Sequence, residues 1–185
     1  MSGARTSYTG LQKLLHWTVA LLLVVSVPLG ASIVNLSDAE VKAIFGTGKG
    51  PLYFWHKSFG LLILMLMLTR LAARLVLGAP DYAAPLAPHE RVLSRIVHWT
   101  LYALLLILPM LGWLGTSAFG PGVVDFFGLA TFPDLIGKDR ELSKTLFSIH
   151  RALAITAVAL IALHVAAALM HGIVKRDGVL SRMIR

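Results

Sequence analysis

Four long apolar runs constrain this chain more than any other feature: about Leu14–Val34, Leu52–Leu77, Ile96–Ser117 and Leu146–Val174. A bilayer core about 30 Å thick needs roughly 20 apolar residues per helix, and each run meets that length. Lipid offers no hydrogen bonds to the backbone, so runs of this kind must be helical. With 57% hydrophobic and 14% charged residues, the chain is far less charged than the roughly 25% of a soluble domain. The expected architecture is all-α, an integral membrane four-helix bundle, with residues 1–185 forming a single transmembrane domain.

The charges set an orientation. With the N-terminus inside, Arg5, Lys13, Arg70, Arg74, Arg91, Arg95, Lys175, Arg176, Arg182 and Arg185 fall at the inner ends, opposed only by Asp81, Glu90 and Asp177. The outer segments carry seven basic and six acidic residues and are nearly neutral. The positive-inside rule then places both termini in the cytoplasm. It also accounts for the net charge of +8 without nucleic acid, since the basic residues flank spans rather than forming one block. The chain has no cysteine, which excludes covalent c-type haem, thiolate-held iron–sulfur clusters and disulfides. The first run is longer than a signal-peptide core and reads as a retained helix.

The connections are unequal. Asn35–Pro51 is Gly-rich and outside. Gly78–Arg95 is inside, where Pro80, Pro85 and Pro88 argue against a continuous helix. Ala118–Thr145 is outside and longest, and its Val123–Leu129 piece is a candidate short interfacial helix. One internal echo joins LLHWTVALLLVVSVPLG (Leu14–Gly30) to IVHWTLYALLLILPMLG (Ile96–Gly112). It reflects either duplication or two helices meeting the same demands from the same side.

Seven histidines occur, and only His89 reads as a loop residue. Ionisable groups inside a membrane are costly and are functional by default, although a single one is as readily a histidine bonded to a neighbouring carbonyl. The pattern favours function. His150 and His164 are 14 residues apart, roughly 21 Å of helical rise and nearly four whole turns, so they share a face at opposite depths. Span order puts His56 with His150 at the outer level, and His16 and His98 with His164 at the inner level. Opposed imidazoles across a bundle are the axial pair of a b-type haem, so two levels imply two haem b groups and an electron path across the membrane. On the face of His150 and His164, Ala154, Ala157, Ile161 and Ala168 suit either a flat macrocycle or ordinary helix packing. Gly60, one turn from His56, carries the same ambiguity. Arg70 and Arg74 lie on the His56 face at the inner level, as candidate partners for haem propionates or as interfacial anchors. Spacing alone leaves His16 and His98 both open as the inner ligand.

The segments LQKLLHW, WHKSFGLLILMLMLTRLAAR, HWTLYALLLILPMLGW, IHRALAITAVALIALHVAAALMHG and the terminal RDGVLSRMIR together resemble the bacterial cytochrome b561 family. These are small dihaem, quinone-linked proteins of the bacterial inner membrane, related to the b-type subunits of hydrogenases and formate dehydrogenases. The resemblance covers nearly the whole chain. It implies His56 and His150 as the outer ligands and His16 and His164 as the inner ones. It also implies a propionate or outer-shell role for His98, and a place for His171 at a quinone or at the membrane interface.

Some members of that family resemble superoxide:ubiquinone oxidoreductases, which implies electrons entering from periplasmic superoxide and leaving to ubiquinone as substrate. Lys57, Arg151 and Lys144 are then candidates for drawing a small anion to the outer haem, or else are interfacial anchors. A second reading is the electron-carrier subunit of a periplasmic dehydrogenase or hydrogenase complex, with a redox partner bound at the third loop. A third, a zinc or proton carrier, is disfavoured because no Asp or Glu falls within the four runs.

Overall fold

The computed structural model describes residues 6–80, 87–120 and 124–184. Its elements are α1 (Gly10–Asn35), α2 (Asp38–Phe45), α3 (Lys49–Leu77), α4 (Pro88–Phe119), strands β1 (Val124–Phe126) and β2 (Ala130–Phe132), α5 (Arg140–Leu169), a π-helical turn (Met170–Lys175) and α6 (Ser181–Ile184). Four helices are long and apolar enough to cross a membrane, spanning 26, 29, 32 and, with the π turn, 36 residues. The chain is thus a helical membrane bundle, as its apolar runs require.

Each helix begins earlier than its apolar run because polar residues extend the first turn. Thr9 and Gln12 form a capping box at α1, the Thr9 hydroxyl accepting from the Gln12 amide at 3.3 Å and the Gln12 side chain accepting from the Thr9 amide at 3.2 Å. Pro88 opens α4, where its missing N–H costs nothing. His89 therefore stands exposed in the first turn of a helix, not in a loop. Asp139 caps α5, accepting from the Glu141 and Leu142 amides. Arg5, Asp81, Pro85 and Arg185 lie outside the described residues.

Two connections depart from expectation. The Gly-rich first loop contains α2, started by a Ser37–Glu40 capping box and ended by Gly46 at φ 70°. The third loop contains an antiparallel hairpin, Val124–Phe126 against Ala130–Phe132, where a short helix was expected. Its Asp-Phe-Phe-Gly sequence explains the difference. Asp125 Oδ1 accepts from the Gly128 amide at 2.6 Å, and Phe127 and Gly128 both take positive φ, which closes a tight turn instead of a helical one. Ser58 of α3 pins the turn, donating to Asp125 O at 3.1 Å and accepting from the Phe127 amide at 3.0 Å.

Helices α1 and α3 pack as one pair and α4 and α5 as another, with α3 against α4 joining them. Val19, Ile63, Met67 and Leu105 centre the first core, and Leu104, Leu108 and Ala157 the second. Many large apolar side chains face outward, Val24, Ile155 and Val76 among them. That is the arrangement expected where lipid is the solvent and gives no drive to bury them. Both chain ends meet at one end of the bundle. The Tyr8 amide and Ser7 hydroxyl donate to Arg182 O, Arg182 donates to Pro80 O, and Trp17 Nε1 donates to Met183 O at 3.1 Å. This is the termini end; the other, carrying α2 and the strands, is the hairpin end.

Ser58 is fully buried and serves both donor and acceptor needs of the turn. Replacing Ser58 by Ala leaves the half-buried Phe127 amide unpaired and should cost about 1–3 kcal/mol. The check is a lower thermal midpoint in detergent, with increased protease cleavage at the hairpin.

Candidate functional site: two histidine pairs

At the hairpin end, His56 of α3 faces His150 of α5, with ring centres 6.2 Å apart and planes at 80°. Backbone carbonyls hold both rings. His56 Nδ1 donates to Ser26 O at 3.0 Å, with the Ser26 hydroxyl at 3.3 Å, and His150 Nδ1 donates to Leu108 O at 2.9 Å. A carbonyl can only accept, so each neutral ring carries its proton on Nδ1 and keeps a lone pair on Nε2. That is the tautomer of a metal-binding histidine with its outer hydrogen bond in place.

A glycine stands beside each contact, tightly at His56 and loosely at His150. Gly30 lies one turn beyond Ser26, and a Cβ there would stand 2.8 Å from His56 Cε1. Gly112 lies one turn beyond Leu108, and its Cβ would be 3.6 Å from His150 Cε1. The echo between the first and third apolar runs thus has a structural meaning. In α1 and α4 alike, the carbonyl ten residues after the HWT histidine, and the glycine four residues further on, seat the imidazole of the next long helix.

At the termini end, His16 and His164 have ring centres 6.3 Å apart, and His98 and His164 only 5.4 Å. Arg70 Nη2 lies 2.8 Å from His16 Nδ1. Guanidinium only donates, so His16 Nδ1 accepts and the neutral ring's proton sits on Nε2. Arg70 also lies 5.3 Å from the Tyr102 ring centre, while Arg74 donates to the Tyr8 hydroxyl at 3.2 Å. Among the described residues neither arginine meets a carboxylate. A partly buried cation with only neutral partners calls for an anion. His98 Nδ1 lies 3.3 Å from the Ser94 hydroxyl.

The donor set fits a haem. An imidazole nitrogen lies about 2 Å from a bound first-row metal ion and about 1.1 Å from its own ring centre, so rings facing across one ion have centres about 6.2 Å apart. The His56–His150 and His16–His164 pairs have that separation, and His98–His164 does not. Among the described residues no three histidines or carboxylates converge to enclose a metal ion. A facing pair would supply two nitrogens to a haem iron, which needs no further protein ligand. Gly60 has nothing within 4 Å of its Cβ direction, leaving room beside His56 for a flat group. Ala154 and Ala157, by contrast, pack on Leu104 and Leu108 of α4, so these two small residues serve helix packing.

The remaining candidates separate. Lys57 and Arg151 directly follow the two hairpin-end histidines, but Lys144 pairs with Glu141 at 2.7 Å and is spent locally. His171, in the π turn at the termini end, donates from Nδ1 to Asp177 Oδ2 at 2.5 Å. Sequence reading missed the Ser26 and Leu108 carbonyls, which no side-chain pattern announces, and Asp177 as a partner. The paired glycines were in view as the ends of the echo.

Comparison with known proteins finds relatives over nearly the whole chain. The sequence profile of the family described as prokaryotic cytochrome b561 matches residues 7–185. A Yersinia pestis protein named "Probable superoxide oxidase CybB" is 30% identical over 178 residues, covering 96% of this chain and 95% of its own length. "Cytochrome b562" of Cereibacter sphaeroides is 31% identical over 182 residues, covering 96% and 95% respectively. "Cytochrome b561 homolog 2" of Escherichia coli K12 is 28% identical over 169 residues, covering 91% and 86%.

The two glycines should not be equally replaceable. Gly30→Ala forces the His56 ring off its carbonyl and should cost about 1–3 kcal/mol by overpacking. Gly112→Ala adds only a van der Waals contact and should be near neutral. Thermal midpoints of the two variants, measured side by side in one detergent, provide the check.

Proposed function

The chain belongs to the prokaryotic cytochrome b561 family, multi-pass electron-transfer proteins of the bacterial inner membrane whose fold implies haem b, and from that premise we propose that it carries electrons across the membrane from superoxide to ubiquinone through two b haems. The observation that carries this reading is the matched spacing of two imidazole pairs at opposite ends of one bundle, 6.2 and 6.3 Å between ring centres. Haem iron, when bound, supplies a one-electron ferric–ferrous couple.

The chain's own residues do the rest. His56 and His150 hold the hairpin-end haem through Nε2, each ring aimed by its carbonyl. His16 and His164 hold the termini-end haem. There His16 would offer Nε2 if its Nδ1 were freed from Arg70, and haem propionates would be suitable anions for Arg70 and Arg74, whose partners among the described residues are neutral. His98, whose ring centre lies nearer to that of His164 than a linear pair across one ion would place it, would lie beside that haem as a propionate or outer-shell contact. The basic excess at the termini end supports both termini being cytoplasmic, so the hairpin end faces the periplasm. Lys57 and Arg151 would raise the local concentration of a small anion there. Ubiquinone meets the chain at the termini end beside His171. The balance is two superoxide ions, one quinone and two protons giving two dioxygen molecules and one quinol. The name of the Yersinia relative, similar over nearly its whole length, supports superoxide as donor.

The test is a reduced-minus-oxidised spectrum with haem quantification on the purified chain and on single His→Ala variants. Two haems are expected in the parent. His56→Ala or His150→Ala should remove one, and His16→Ala or His164→Ala the other. Loss of the termini-end haem from His98→Ala but not from His16→Ala would overturn the inner pairing. For the donor, the lone chain should reduce ubiquinone-1 with superoxide generated in solution. If it stays inactive until a dehydrogenase is added, the chain is an electron-carrier subunit instead.

A further inference from the structure

After Leu169 the last long helix does not simply end. It widens into the π turn Met170–Lys175, and Arg176 then takes φ 52°, which reverses the chain. Widened turns of this kind recur at functional sites. The reversal brings Asp177 back over the ring of His171, six residues earlier. Both carboxylate oxygens are engaged, Oδ2 by His171 Nδ1 and Oδ1 by the Val179 amide at 3.2 Å. The tail beyond is fixed through Arg182 to Pro80 and to the Tyr8 and Ser7 segment. The carboxylate is therefore placed by three parts of the fold.

We propose that Asp177 is the positioning residue for His171, fixing its Nδ1–H so that Nε2 gives a proton to the quinone as it is reduced. This rests on the reading above that ubiquinone meets the chain at His171. A carboxylate accepts from Nδ1 and leaves Nε2 as the working nitrogen, the arrangement by which an aspartate orients a catalytic imidazole. Nε2 makes no hydrogen bond among the described residues and is not sealed in the interior. Burial alone would raise the Asp177 carboxyl. The hydrogen bonds from His171 and the Val179 amide, with the Lys175 charge nearby, instead hold it below its usual range, so it stays ionised at neutral pH. Of the neighbouring cations, Lys175 pairs with Glu90 of α4 and Arg176 donates to Ile173 O.

The proton accounting closes. Quinone takes two electrons and two protons to become quinol. His171, doubly protonated, gives the Nε2 proton to one quinone oxygen and remains neutral with Nδ1–H on Asp177. Recharged from the aqueous side, it delivers the second proton by the same route. The electrons arrive singly from the one-electron donor.

The experiment uses haem-loaded protein in detergent, with Asp177→Asn, Asp177→Ala, Asp177→Glu and His171→Gln beside the parent. Reduced protein is reoxidised by ubiquinone-1, which needs protons, and separately by ferricyanide, which takes only electrons. Asp177→Asn and Asp177→Ala should lower kcat with ubiquinone-1 by about ten-fold or more at nearly unchanged KM, within what a positioned proton donor contributes. Ferricyanide rates should stay within about two-fold of the parent, and Asp177→Glu should recover most of the loss. Full ubiquinone activity in Asp177→Asn beside an impaired His171→Gln overturns the proposal. So does an equal slowing with both acceptors, which would make Asp177 a structural clasp. An unimpaired His171→Gln in an otherwise active protein removes instead the reading that quinone sits at His171.

Discussion

A buried imidazole must be told where to keep its proton, and much of this structure follows from how that is done. At the hairpin end a main-chain oxygen gives the instruction twice, Ser26 to His56 and Leu108 to His150. Each oxygen is reached beside a glycine one turn further on, where a Cβ would collide with the His56 ring at Gly30 but only touch the His150 ring at Gly112. These contacts tie α1 to α3 and α4 to α5, which are the two close pairs of the bundle. What remains between the pairs is crossed by imidazoles. Helix pairing, ring orientation and the choice of donor nitrogen are thus one arrangement.

The termini end is built differently. Fourteen residues after His150 the chain has His164, and fourteen after His56 it has Arg70. Where the hairpin end opposes two histidines of equivalent position, this end opposes a histidine and an arginine, and His16 enters from α1 instead. A guanidinium beside the His16 ring adds a positive charge at this end and moves the ring's proton to Nε2, the reverse of the hairpin end. The two histidine pairs therefore lie in different fields, and the potential of any metal held between them would respond to that difference.

Much of this was legible in the sequence, for reasons that also explain the gaps. Span length and histidine spacing depend on rise per residue, so the four helices and the two levels could be read directly, and so could Arg70 on the face of His56. Helix starts were misplaced because hydropathy falls at the first charges, whereas capping residues such as Thr9 and Asp139 carry the helix through them. The hairpin was missed because VVDFFGL has the hydrophobicity of an interfacial helix, and only the Asp125–Gly128 hydrogen bond shows that it turns. His16 and His98 were indistinguishable by periodicity. They differ in approach to His164 by less than 1 Å, a quantity set by packing between helices and absent from any single helix.

One further point concerns assembly. Both facing pairs draw one member from α5, His150 at one level and His164 at the other. Neither can exist while only α1, α3 and α4 have entered the membrane. During biosynthesis the nascent bundle therefore offers half-sites alone, and both pairs become available together when the last long helix docks. On the proposed reading, haem loading would wait for that one late step, when the docking of α5 completes both pairs at once.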